Sequence, residues 1–126
     1  MARLPGGATK DKSFKATEDL LQAHPDLNGI FAINDPSALG AVAALEKAGK
    51  LGLVKVVGFD GMPEGKQAIK AGQIYADPVQ FPDRIGRTAV QTIQRYLEGE
   101  EVGGQILIPT ALYRKADADR DPALRK

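Results

Sequence analysis

The sequence predicts an α/β fold: a flavodoxin-like or Rossmann-like parallel sheet of about five strands, flanked by helices on both faces. Three observations carry this. Short apolar runs alternate with stretches of helical periodicity from end to end. The runs are continuous rather than alternating, which suits strands covered on both faces. Prolines fall where helices would start and glycines where they would stop.

The elements follow in order. "ARLPGG" is short and ends in a glycine turn. In "KDKSFKATEDLLQAH", Phe14, Thr17, Leu20 and Leu21 recur near a period of 3.6, the mark of an amphipathic helix. Pro25 stops it after His24. "GIFAI" reads as a strand. Residues 36–48 read as a helix with Leu39, Val42, Ala43 and Leu45 on one side, opened by Asp35 or Ser37 as cap and Pro36 in its first turn, and closed by Gly49. "LVKVVGF" is the next strand and runs into Asp60-Gly61. "PEGKQAIKAG" is a short helix. "IYADPV" is a weaker strand, because Pro78 cannot donate to a ladder and belongs at a strand end or edge. "PDRIGRTAVQTIQRYLEGE" is the strongest helix, with Ile85, Ala89, Val90, Ile93, Tyr96 and Leu97 in a wide apolar stripe. "QILIPTALY" is read as the closing strand. The domain is therefore expected to occupy residues 1–113. Residues 114–126 form a tail of alternating charge, expected to be solvated or disordered.

Composition excludes several functions. The 126 residues are 43% apolar and 26% charged, with a formal charge of +1. A balance this even leaves no footprint for nucleic acid. No apolar run approaches the roughly 20 residues of a membrane helix. The N-terminal "MARLPGGATKDK" has no apolar core of the kind a secretory signal needs, so the sequence as written leaves its compartment unknown. There is no cysteine and one histidine. Disulfides, thiolate chemistry and multi-histidine metal sites are out, and no cofactor is expected. His24, in "QAHPDL", reads as a helix-end residue. Asp117, Asp119 and Asp121 imitate the start of a calcium loop but lack its glycine and closing glutamate.

The polar residues that remain are placed together by the fold. Asn34, Asp60 and Gln80 each follow a strand. In a parallel sheet all carboxyl ends share one edge, where open α/β sheets bind ligands. One carboxylate and two amides, with Phe59 and Phe81 nearby, suit a neutral polyhydroxylated ligand. They do not suit a phosphate, since no lysine or arginine accompanies the set. Each residue also has a local alternative: Asp60-Gly61 is a common turn pair and Asn34-Asp35-Pro36 a common helix opening. An enzyme on the same edge would use Asp60 as general base, or Asp35 with Asp60 as a carboxylate pair. A receiver-type domain is excluded, because "ARLPGG" lacks the acidic cluster.

"AHPDLNGIFAINDPSALGAVAALEKAGK" followed by "VKVVGFDGMPEGKQAIKAGQIYADPVQFPDRIGRTAV" resembles the C-terminal part of ribose-type sugar-binding proteins of bacterial ABC importers. The resemblance runs from about Thr9 to Leu112. Its specific feature is the order of "AxNDxxALGAxxALxxAGK", "VVGFDG" and "QxPxxIG". Repressor cores of the lactose-repressor type share "VGFD" and form the alternative, without a DNA-binding element here; a small α/β hydrolase is the other. The resemblance implies a non-enzymatic, periplasmic carbohydrate-binding role and an ABC permease as partner. It implies that Asn34, Asp60 and Gln80 bind sugar hydroxyls, with a pentose or similar sugar as ligand, and that Asp35 caps a helix. It implies that the chain after about residue 81 crosses a hinge to a second lobe, which is not in this sequence; nor are most of the aromatics and arginines that complete the sugar site. Weak or no sugar binding is the expectation. The stripe of the helix after the hinge is expected either to fold back on the chain's own sheet or, the preferred reading, to pack on a second copy as a homodimer, swapped or unswapped.

Overall fold

A computed structural model describes residues 1–125. The elements are α1 (Lys10–Ala23), β1 (Gly29–Phe31), α2 (Asp35–Lys47), β2 (Lys55–Val57), α3 (Pro63–Lys70), β3 (Ala76–Val79), α4 (Pro82–Leu97), β4 (Ala111–Arg114) and α5 (Lys115–Arg120), followed by a 3-10 turn at Pro122–Leu124. The strands pair in the order β1-β2-β3-β4. The first three are parallel, with Gly29 opposite Lys55 and Val57 opposite Ala76. This is the α/β class the sequence predicts.

The core forms where α2 and α3 meet the strands. Leu45, Val56, Ile69 and Ile74 are its largest buried apolar side chains. α2 is buried around most of its circumference, from Asp35 through Ala38, Ala41 and Val42 to Leu45. A helix that is apolar nearly all round must be covered on both sides. The sheet covers one side and α1 the other. Gly40 makes the second contact possible. A Cβ there would meet the Lys10 carbonyl and lie 2.9 Å from the Phe14 backbone nitrogen.

Four details differ from the sequence expectation. First, the described sheet has four strands, and β4 runs antiparallel to β3, with Val79 opposite Ala111 and Ala76 opposite Arg114. An apolar run reads the same in either direction, so its pattern does not encode the reversal. Second, helices are expected on both faces, yet α2 and α3 touch each other as well as the strands. They therefore share a face. Side chains alternate along a strand: Ile30 and Ala32 join the core, while Phe31 and Ile33 point the other way and are 67% and 70% exposed. Third, the closing strand starts at Ala111, not at Gln105. Ile106 and Leu107 are exposed and pair with no strand. Fourth, the described part of the tail, residues 114–125, is ordered. Ala118 of α5 is fully buried against α3 and β4. The Tyr113 hydroxyl donates to Asp121 at 2.8 Å, and Lys115 pairs with Asp119 one turn on. The alternating charges are the wet side of a short helix anchored by Ala118, and Leu124 of the 3-10 turn packs on the same core. Lys126 lies outside the described residues.

α4 buries none of its residues. The stripe read from the sequence is present, but Val90, Ile93, Tyr96 and Leu97 all face solvent. No helix of the described residues is long and apolar enough to cross a membrane.

Gly40→Ala is expected to lower the free energy of unfolding by about 1–3 kcal/mol, the usual cost of overpacking, read as a lower urea midpoint. Gly86→Ala, in α4 where a Cβ would meet nothing within 4 Å, is expected to leave the midpoint unchanged or raise it.

Candidate functional site

Asp60 and Gln80 lie side by side beyond β2 and β3. The Gln80 Nε2 donates to Asp60 Oδ1 at 2.5 Å. Their backbones are also joined: the Asp60 amide donates to the Pro78 carbonyl at 3.2 Å, and the Gln80 amide donates to the Asp60 carbonyl at 3.1 Å. These bonds extend the parallel pairing one bridge past the regular strands, with Asp60 opposite Val79. Asp60 takes φ +115, an uncommon conformation for a residue with a side chain, and Gly61 follows at +77. Such backbone costs energy and persists only where its surroundings enforce it. Here the backbone bonds to Pro78 and Gln80 hold it on one side and the Gly61 amide bond to Asp77 on the other, while Val79 packs so close to Gly61 that a Cβ there would lie 2.6 Å from its methyl.

Asn34 stands past the end of β1, on the same edge of the sheet. It does not bond to the other two. The sequence leaves Asn34 free and gives the capping role to Asp35 or Ser37; the structure reverses this. Asn34 is the N-cap of α2, with extended backbone and its Oδ1 accepting from the Ser37 amide at 3.0 Å. Its Nδ2 donates to the Ala8 carbonyl at 3.1 Å. The reason is positional: Asp35 is already the first helical residue, so its side chain turns inward instead of back along the helix.

Asp35 is fully buried. Its Oδ2 accepts from the Met62 amide at 2.6 Å. Glycines make room for it: a Cβ on Gly65 would run into the carboxyl group, and one on Gly58 would lie 2.7 Å from Oδ1. Asp77, also fully buried, is the partner the sequence reading missed. Its Oδ2 accepts from the Gly61 amide at 3.3 Å. Burial above all, then the hydrogen bond and charge of Asp35, push the Asp77 carboxyl up to about 8. An aspartate inside the apolar run "IYADPV" is the signal that could have found it, since buried acids are rare without a partner.

The surroundings narrow the chemistry. Phe81 follows Gln80, and the Arg84 guanidinium carbon lies 4.3 Å from its ring centroid. A cation therefore stands nearer the set than the sequence suggests, though it is stacked on an aromatic face. His24 caps α1, its amide donating to the Leu20 carbonyl. It precedes β1 and so lies toward the opposite edge of the sheet. Among the described residues no group of three or more metal-ligating side chains could hold a metal ion. An open groove of about 400 Å³ runs along α4 between Thr88, Arg95 and Ile106 and does not include the three residues.

A family profile described as the periplasmic binding protein domain matches residues 2–101. The ribose import binding protein RbsB of Salmonella typhimurium is 44% identical over 102 residues, which is 81% of this chain and 34% of that protein. An ABC transporter periplasmic solute binding protein of Actinobacillus succinogenes, solved with bound D-allose, superposes with a TM-score of 0.82 at 28% identity, over 92% of this chain and 41% of the other. GanP, a glucose-galactose binding protein of Geobacillus stearothermophilus, gives 0.83 at 26% identity, over 89% of this chain and 40% of its own. The chain thus spans about a third of the length of the curated ribose-binding relative. These relatives are binding proteins of sugar transport, not enzymes.

Asn34→Ala is expected to lower stability by about 1 kcal/mol through the lost cap. Asn34→Asp keeps a capping oxygen and is expected to retain most of that stability, measured by the same denaturation curves.

Proposed function

The chain belongs to the periplasmic binding protein domain family, and we propose that residues 1–113 supply one jaw of a sugar site, with Asn34, Asp60 and Gln80 as its hydroxyl-binding groups. The observation that carries this reading is the Asp60–Gln80 pair, held on strained backbone at the carboxyl edge of a parallel sheet. With Oδ1 committed to Gln80, the Asp60 Oδ2 accepts from a ligand hydroxyl, and the Gln80 carbonyl oxygen accepts from another. The Asn34 amide contributes by exchanging its bond to Ala8. The ligand class is a neutral pentose or similar sugar, as in the ribose- and allose-binding relatives, and delivery is to an ABC permease.

One jaw leaves most of a sugar in water. A net hydrogen bond contributes about 1 kcal/mol, and two or three of them barely offset the entropy of association. Binding by the 126-residue chain is therefore weak. Calorimetry with ribose and with allose is expected to give a Kd of about a millimolar or weaker, by that arithmetic, abolished in Asp60→Ala. Micromolar binding, or millimolar binding that survives Asp60→Ala, defeats the reading.

The exposed stripe of α4 supports a further part of the proposal. A contiguous row of Val90, Ile93, Tyr96 and Leu97 is costly to leave in water. A second copy covers it, with exchange of the segment beyond Gln80, a low-cost route to a dimer where a hinge already exists. Light scattering is expected to give twice the monomer mass at tens of micromolar chain. A monomer at every concentration rejects the dimer and leaves the sugar site as proposed.

A further inference from the structure

Asp35 and Asp77 take no part in the proposed ligand contacts, yet both are fully buried and converge on Gly58 beneath the loop that carries Asp60, where a Cβ would lie 2.7 Å from Asp35 Oδ1 and 3.6 Å from Asp77 Oδ2. Each accepts one backbone amide from that loop: Met62 to Asp35 at 2.6 Å and Gly61 to Asp77 at 3.3 Å. The remaining oxygen of each, Oδ1, is buried and has no donor. Unpartnered buried oxygens are rare in native proteins. Two adjacent carboxyls resolve this if one carries a proton, because the protonated group becomes a donor to the other. With both ionised, like charges meet in a site that water does not reach.

We propose that Asp35 and Asp77 form a proton-sharing clamp that positions the 60–62 loop, tight when the pair holds a proton and loosened when the pair loses it. Asp77 acts here as a positioning residue for Asp60, through the Gly61 amide. Every element packed on the pair agrees with this. From α2 comes Asp35 itself. From the loop after β2 comes Asp60, whose charge also raises the Asp77 carboxyl. On β4, Tyr113 stands opposite Asp77 in register, but its hydroxyl is bonded to Asp121. From α3, Lys66 lies over the Tyr113 ring at 4.9 Å and forms no ion pair with either acid. No salt bridge reaches the pair among the described residues.

The sign follows from linkage. The folded Asp77 carboxyl titrates at about 8, above its ordinary 3.8. The folded chain therefore holds a proton that the unfolded chain has already lost. The stability this contributes is complete below about pH 4 and is lost as pH rises through about 8. The clamp stands without the sugar reading; only its effect on ligand rests on that reading.

The test is a proton–nitrogen NMR titration of the full chain from pH 5 to 10, with thermal unfolding across the same range. The wild-type Gly61 and Met62 amide resonances are expected to shift together with a midpoint near 8, and Tm to fall as pH rises to that midpoint. In Asp77→Asn, or Asp77→Thr should the first not fold, both changes are expected to disappear. Wild-type amides that hold still between pH 6 and 10, or a midpoint that survives in the variant, overturn the clamp. The ribose-induced rise in Tm is followed in parallel and is expected to be larger at pH 6 than at pH 9.5. Amides that titrate while ribose has no effect at any pH support the clamp and reject the sugar reading alone.

Discussion

The buried carboxyl of Asp35 is the constraint on which the binding edge depends. It sits at the first turn of α2, yet it reaches the end of β2 through Gly58, the start of α3 through Gly65 and Met62, and β3 through Asp77. Four segments distant in sequence meet at one side chain. A lone ionised carboxylate in such a place would be costly. The site solves this with backbone amides and a second acid, not with a cation. Glycine at 58 and 65 is therefore a requirement of the acid, not a feature of turns.

This arrangement explains why the edge of the sheet holds its shape while its surface stays open. Asp60 lies on backbone that side-chain-bearing residues seldom adopt. The strain is held from below by the two buried acids, from one side by Val79, and from the other by the Gln80 amide. Energy stored at the rim is offset by order beneath it, a division common at ligand sites. The same logic separates Asn34 from its neighbours. Its amide closes a helix end and ties down the Ala8 carbonyl, so it reaches a ligand only by giving up a bond.

How much of this the sequence discloses depends on the range of the interaction. Helices are local, and proline, glycine and apolar spacing place α1 to α4 within three residues of their ends. The Asp60–Gln80 pairing is legible because parallel topology puts successive strand ends on one edge. The reversal of β4 is not, since direction depends on where the chain returns. Nor is the order of the tail: "RKADADRDPALRK" carries two apolar anchors, Ala118 and Leu124, and its partners lie about 50 residues earlier in α3, around Lys70. Asp77 is visible only as an anomaly, an acid in an apolar run, and its partner is 42 positions away in the chain.

The pairing of Val79 with Ala111 carries one more consequence. Residues 80–110 leave the sheet and come back to it at adjacent points, through a single gateway. Topologically the whole excursion is a hairpin loop grown large. The entropy of closing such a loop rises only slowly with its length, by roughly 0.6 kcal/mol for each doubling. Evolution can thus lengthen, shorten or exchange this cassette while the scaffold on either side of the gateway folds as before.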